Sequence, residues 1–210
     1  MDEQEQIKHL IVETEEAIKF FSNEKKPDLE RSTCAAFLRC HGIDVNVEEI
    51  ESYSDEPPDV IYKEARFEIK ELLDDDRRRH DEYKKKLERL KKAKKLSDLS
   101  QPYTPTFVTI RDIAKRSCTL LEKHSKRYDK ALISSLDILI YFNLMDYYLD
   151  EEFVEPDITD LKAQGWRSVS MVSGSSAFVF CAQDSAPDFL LKNVGDLKQP
   201  SNIMGLFDLE

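Results

Sequence analysis

The stretch PPDVIYKEARFEIKEL, beginning at residue 57, places Asp59, Glu68 and Lys70 at a spacing that can do chemistry. Two short β-prone runs, DVIY and RFEIKELL, flank Lys63 and Glu64, which predicts a tight hairpin. A two-residue turn sets Tyr62 against Ala65, Ile61 against Arg66, Val60 against Phe67 and Asp59 against Glu68. Side chains alternate faces along a strand, so Asp59, Glu68 and Lys70 share one face. Val60, Phe67 and Ile69 share the other. Directly opposed Cβ atoms lie roughly 4.5–5.5 Å apart. Two carboxylates that close repel unless a cation lies between them. A hard divalent ion, Mg²⁺ or Mn²⁺, takes one or two carboxylates and completes its shell with water and phosphate oxygens. Lys70 would point at the same space, to orient an attacking water or share charge with the phosphate. These are the components of phosphodiester hydrolysis. The competing reading is an exposed strand face with a surface Glu–Lys pair. Lys-Glu is not a preferred type I′ pair, so a less regular turn is expected.

Pro58-Asp59 followed by Glu68-Ile69-Lys70 resembles the PD-(D/E)xK motif of restriction-endonuclease-like nucleases. The resemblance implies an α/β fold (α+β, with a mixed sheet) built on an αβββαβ core, with extra N-terminal and central helices. It also implies Asp59 and Glu68 as metal ligands, Lys70 as a catalytic residue, and a supporting glutamate from the preceding helix. Glu30 is the match for that last role. Glu71 points to the opposite face of a regular strand and is an auxiliary candidate only. A wider resemblance, carried by EIKELLDDDRRRHDEYKKKL, is to an uncharacterised bacterial family described as "putative endonuclease".

These residues need elements to hold them. Residues 2–23 read as an amphipathic helix, with Ile7, Leu10, Ile11, Ile18 and Phe21 at helical spacing. Lys25, Lys26 and Pro27 are expected to break it. Asp28 is then the expected N-cap of a second helix, DLERSTCAAFLRC, closed by Gly42. Residues 43–55 are acidic, with a short strand expected at 45–50. Residues 77–95 predict a basic helix whose apolar stripe is thin: Tyr83, Leu87 and Leu90. A further helix is predicted over about 109–127. LDILIYF predicts a central strand buried on both faces, and WRSVSMVSGSSAFVFCAQ a late hairpin around Ser173-Gly174. One domain is expected over 1–210, with an N-terminal helix (1–23), a core (28–195) and a tail (196–210).

Charge sharpens the choice of partner. The net charge is −11, yet residues 77–95 hold eleven Lys/Arg against three Asp/Glu. Arg77, Arg78 and Arg79, with Lys84 and Lys85, are the expected nucleic-acid contacts, and His80 is a possible proton carrier whose competing reading is a solvated helix start. DNA is the expected polymer, with RNA the alternative. No GxGxxG or GxxxxGK occurs, which argues against Rossmann and P-loop nucleotide sites. Cys34, Cys40, Cys118 and Cys181 form no CxxC or CxxH pair and read as reduced thiols. His9, His41 and His124 lack metal-ligand spacing. MDEQEQIKHL has neither a basic nor an apolar leader region, and no apolar run reaches membrane length, so a cytoplasmic location is expected. IMGLFDLE, through Met204, Gly205, Leu206 and Phe207, resembles the peptides by which bacterial DNA-processing enzymes hold the sliding clamp. A homodimer would suit cutting of two strands. Two rival readings remain open: a nuclease-like scaffold that binds nucleic acid or protein without cutting, and a structural protein that docks a partner on the basic helix.

Overall fold

LDILIYF has no polar face to show to water, so it must lie inside a sheet covered on both sides. In the computed structural model it does. Residues 2–20, 25–53, 57–73, 79–100, 104, 106–143, 147–150 and 152–198 are described, with the side chains of 20 and 79–81 left aside. Strand β5 (Asp137–Phe142) is central in a six-stranded sheet of order β1-β2-β3-β5-β7-β8. Strands β1 (Glu51–Ser52), β2 (Val60–Tyr62) and β3 (Ala65–Leu72) form an antiparallel meander. β3 and β5 run parallel, as do β5 and β7 (Ser168–Ser173), and β8 (Ser176–Ala182) closes the sheet antiparallel to β7.

Period-two alternation divides the core. Ile138 and Ile140 join Ile113, Ala114 and Leu121 of helix α4 (Ile110–Ser125) on one face. Leu139 joins Phe37 and Leu38 of helix α2 (Lys26–Cys40), with Val60 and Phe67, on the other. The order α2-β1-β2-β3-α4-β5, with β5 parallel beside β3, is the expected αβββαβ arrangement in a mixed α/β fold. Helices α1 (Glu3–Phe20) and α3 (Arg79–Lys92) are the additions at the N-terminus and centre. Short helices α5 (Lys130–Ile133), α6 (Thr159–Ala163) and α7 (Asp188–Leu191) complete the chain's helices among the described residues. None of those described is long and apolar enough to cross a membrane.

Several local expectations change. α1 ends at Phe20, ahead of the expected break, but Lys26 and Pro27 themselves belong to the first turn of α2, which has no need of proline's missing N–H. Asp28 is therefore inside that helix, where its carboxylate meets Lys25 Nζ at 3.0 Å and Arg31 Nη2 at 2.6 Å. The strand expected at 45–50 is instead a 3₁₀ turn, Val47–Glu49, and the strand follows it. Gly42 closes α2 at φ +73°, a conformation that favours glycine. α3 does not stand free. Leu90 is buried and Lys91 Nζ meets Glu15 Oε1 of α1 at 2.8 Å, so its thin apolar stripe has a partner within the chain. A second sheet, unforeseen from the sequence, pairs β4 (Thr106–Val108) in parallel with β6 (Tyr147–Leu149). The LFDLE tail with its clamp-like residues lies outside the described residues, as do Arg77 and Arg78.

Candidate active site

The hairpin that carries the candidate residues keeps three of its four expected pairs: Tyr62 with Ala65, Ile61 with Arg66, and Val60 with Phe67. The turn is not a regular type I′ turn, since only Lys63 has positive φ (52°). The fourth pair, Asp59 with Glu68, does not form as a ladder pair. Asp59 N–H instead donates to Phe67 O at 3.0 Å, so Asp59 and Val60 both oppose Phe67 in the manner of a bulge at the start of β2. Such an irregularity re-aims a side chain. Here the Asp59 carboxylate turns over the β3 backbone and its Oδ2 accepts the Ile69 N–H at 2.7 Å.

Asp59 and Glu68 are only 4% and 3% exposed, which rules out the solvated strand face. Glu30, in the second turn of α2, is 8% exposed. Three buried carboxylates are costly unless paired, and two ammonium groups pair them. Lys26 Nζ lies 3.3 Å from both Glu30 Oε1 and Asp59 Oδ1. Lys70 Nζ lies 2.5 Å from Glu68 Oε1 and 4.0 Å from Asp59 Oδ2. Burial, and then the charge of Asp59, pushes the Glu30 carboxyl from its ordinary 4.5 up to about 7.

Tyr128, just beyond α4, donates its hydroxyl to Glu68 Oε1 at 2.8 Å. Burial and this bond both hold the phenol above its usual range. The Tyr128 ring is itself set edge-on to Trp166, with centroids 6.1 Å apart. Glu68 Oε1 therefore has two donors, whereas Glu68 Oε2 is buried and meets none. Leaving such an oxygen without a partner costs about 1–3 kcal/mol, more for a charged group. His124, at the end of α4, is held below its usual pKa by burial and by the nearby charges of Lys70 and Arg127.

The donors suit a hard cation: carboxylate oxygens, one of them unpartnered and buried, beside a lysine. Asp59 and Glu68 could hold such an ion, with Glu30 one ion pair away. Among the described residues no three His, Cys, Asp or Glu side chains are gathered closely enough to hold an ion by themselves. Water and a phosphate oxygen would have to complete its shell. Glu71 is turned away, as expected for its register, and accepts from Asn143 Nδ2 at 2.8 Å. Lys84 and Lys85 are exposed on α3, whose anchoring contacts run to α1. Two site residues have no place in the sequence reading. Lys26 lies four residues before Glu30, a helical spacing that puts both on one face. Tyr128 lies 60 residues from its partner, and no local pattern points to it.

The whole molecule resembles a solved structure from Pseudomonas aeruginosa strain PAO1, described as a protein of unknown function, PA4535, of the monooxygenase superfamily. The two are 28% identical, the match covers 98% of this chain and 99% of that one, and the TM-score is 0.67. No curated protein matches the chain. The family model described as "Putative endonuclease, protein of unknown function (DUF1780)" matches residues 2–201, and the chain belongs to that family.

Proposed function

We propose that this chain is a metal-dependent endonuclease that hydrolyses phosphodiester bonds in DNA at the site formed by Asp59, Glu68 and Lys70. The observation that carries this reading is Glu68 Oε2, a buried carboxylate oxygen without a partner beside a second buried carboxylate and a lysine. Asp59 and Glu68 would hold Mg²⁺ or Mn²⁺, with Glu30 in support. Bound there, such an ion supplies Lewis acidity and lowers the pKa of a bound water. The chain's own groups do the rest. Lys70 shares charge with the phosphoryl oxygens as they become more negative. Tyr128 fixes the orientation of Glu68. Glu30, with its carboxyl pushed up to about 7, can hold or release a proton near neutrality.

Cleavage of single-stranded, duplex and branched DNA, with and without Mn²⁺, tests the proposal. The wild type should cut only with metal, and Asp59→Ala should not cut. Equal cleavage by the two would place the activity elsewhere. A second reading, a nuclease-like scaffold that binds without cutting, is favoured by one observation. Lys26 and Lys70 already give each of the three carboxylates an ion-pair partner. Calorimetric titration separates the two: absence of Mn²⁺ binding at millimolar metal favours the scaffold. A clamp contact through residues 203–210 stays a proposal, tested by pull-down with purified clamp with and without that segment.

A further inference from the structure

The ribbon of β4 and β6 stands apart from the main sheet, and its two strands pair only with each other among the described residues. Alternation along so short a ribbon still sorts its faces. Val108, Tyr147 and Leu149 pack on the α4 side of the core. Phe107 and Tyr148, directly paired across the ladder, face outward at 64% and 51% exposure. No other described aromatic side chain is more exposed than these two. Their ring centroids are 6.3 Å apart and the planes tilt by 41°. Two large rings held side by side at the surface make an apolar patch of the kind that marks an interaction site.

Beside the ribbon, a groove of about 510 Å³ runs between β4 and α4, lined in part by Thr106, Phe107, Lys115, Arg116, Thr119 and Tyr147. That volume is within the roughly 300–1,000 Å³ of small-ligand sites. Arg116 lies over the Tyr147 ring, 4.9 Å from its centroid, and is set in place by it. Asp112, the one carboxylate in the lining, is occupied in capping α4 through the Thr109 N–H and hydroxyl. Arg116, Thr119 and Lys123 recur at three- and four-residue steps, so they share one face of α4. Exposed Lys126 and Arg127 continue the cations past its end. The far end of this row is the candidate site, since Tyr128 follows Arg127 and bonds to Glu68. From Arg116 to Lys123 is about 10 Å of helix axis. In a chain of net charge −11, a row of cations leading from exposed rings toward a buried site, with Thr119 within it and exposed Glu122 at its edge, is a local exception.

We infer that the β4–β6 ribbon and the exposed flank of α4 form a binding surface for single-stranded nucleic acid. Unpaired bases stack on Phe107 and Tyr148, and the phosphates follow Arg116, Lys123 and Arg127 toward Glu68 and Lys70. The inference rests on the endonuclease reading for where the strand leads. Exposed rings accept any unpaired base on their faces, whereas a duplex keeps its base faces stacked. The surface therefore discriminates by strandedness, and sequence matters little to it.

The test is fluorescence anisotropy of a labelled mixed-sequence single-stranded DNA with the full chain carrying Glu68→Gln, in EDTA, so that nothing is cut. The matching duplex and matching RNA are the comparison probes. The single strand should bind more tightly than the duplex. Phe107→Ala and Tyr148→Ala should each weaken it by about 5- to 150-fold, while Phe107→Tyr and Tyr148→Phe retain it. Arg116→Ala with Lys123→Ala should flatten the salt dependence, which the ring variants leave unchanged. Unchanged affinity in the ring variants, or equal losses for single strand and duplex, overturns the inference. So does a ring variant that only dissolves a dimer, which would make a second copy the occupant. Binding that behaves as expected in a wild type that never cuts sustains the surface and sinks the endonuclease reading. Metal-dependent cutting of single strands with KM unmoved by the ring variants does the reverse.

Discussion

Asp137 and Glu68 are buried carboxylates on adjacent strands, and they are treated in opposite ways. Asp137 Oδ1 accepts from Ser168 Oγ at 2.8 Å and from Arg167 Nε at 3.0 Å. Its Oδ2 accepts from the Arg66 N–H at 2.9 Å and from Arg167 Nη2. Each oxygen has two donors, and the charge is matched by one guanidinium. Glu68 puts both of its donors on one oxygen and leaves the other bare. A carboxylate that serves only the fold is expected to be saturated, because an unpartnered buried oxygen is a standing cost. Asp137 ties β3, β5 and β7 together at their starts. Glu68 carries a cost that the fold alone does not account for, and a ligand would relieve it.

The largest effect should come from the saturated residue. Asp137→Ala leaves Arg167 with a largely buried, unpaired charge, and unfolding in urea should show a loss of about 3–5 kcal/mol. A loss under 1 kcal/mol would remove the distinction between the two carboxylates. Glu68→Gln should cost little stability and lower metal-dependent cleavage by at least about 100-fold, the scale of losing one preorganised charge-stabilising group. A smaller step sharpens the orienting role of the phenol. Tyr128→Phe should weaken Mn²⁺ binding by about 10- to 100-fold in calorimetry without abolishing it. Unaltered Mn²⁺ affinity would make Tyr128 a packing residue of the Trp166 neighbourhood.

The smallest effect concerns pH. The folded chain holds a proton on Glu30 up to about 7, against 4.5 for an ordinary glutamate. Between those values the folded state binds more protons than the unfolded one, so stability falls as pH rises. This contribution is fully present below 4.5 and lost by the time pH has passed 7. Thermal melting of the metal-free protein from pH 4.5 to 8 should show that slope, and Glu30→Gln should flatten it. Added Mn²⁺ should oppose it, because metal favours the ionised carboxylate. A melting temperature that climbs over the same range in the wild type and not in Glu30→Gln would reverse the assignment.

Local alternation carried the hairpin a long way. Three of the four expected pairs between β2 and β3 are present, since one buried face makes register hard to shift. The fourth is lost to the irregularity at Asp59, and Pro58, which has no N–H to give a ladder, is the hint of it in the sequence. Lys26 was within reach of the sequence, four residues before Glu30. Lys25-Lys26-Pro27 reads as a break in the sequence, yet Lys26 and Pro27 lie in the first turn of α2. The basic helix forms over Arg79–Lys92, inside the expected 77–95, but its pairing with α1 depends on two helices separated by the whole meander. Asp137 is the one charged residue of the apolar run LDILIYF, and only its neighbours from β3 and β7 explain it.

The order of the main helices and the hairpin, the central strand, the late hairpin and the choice of the three candidate residues were legible in the sequence itself. Those features rest on period and composition, which act between residues close along the chain. Which oxygen of Glu68 stays bare, which phenol holds the other, and which lysines stand between the carboxylates were decided only by tertiary structure. So was the outward-facing pair of Phe107 and Tyr148, which come from strands 41 residues apart. Contacts of that kind depend on where distant segments meet, and no local pattern encodes the meeting point.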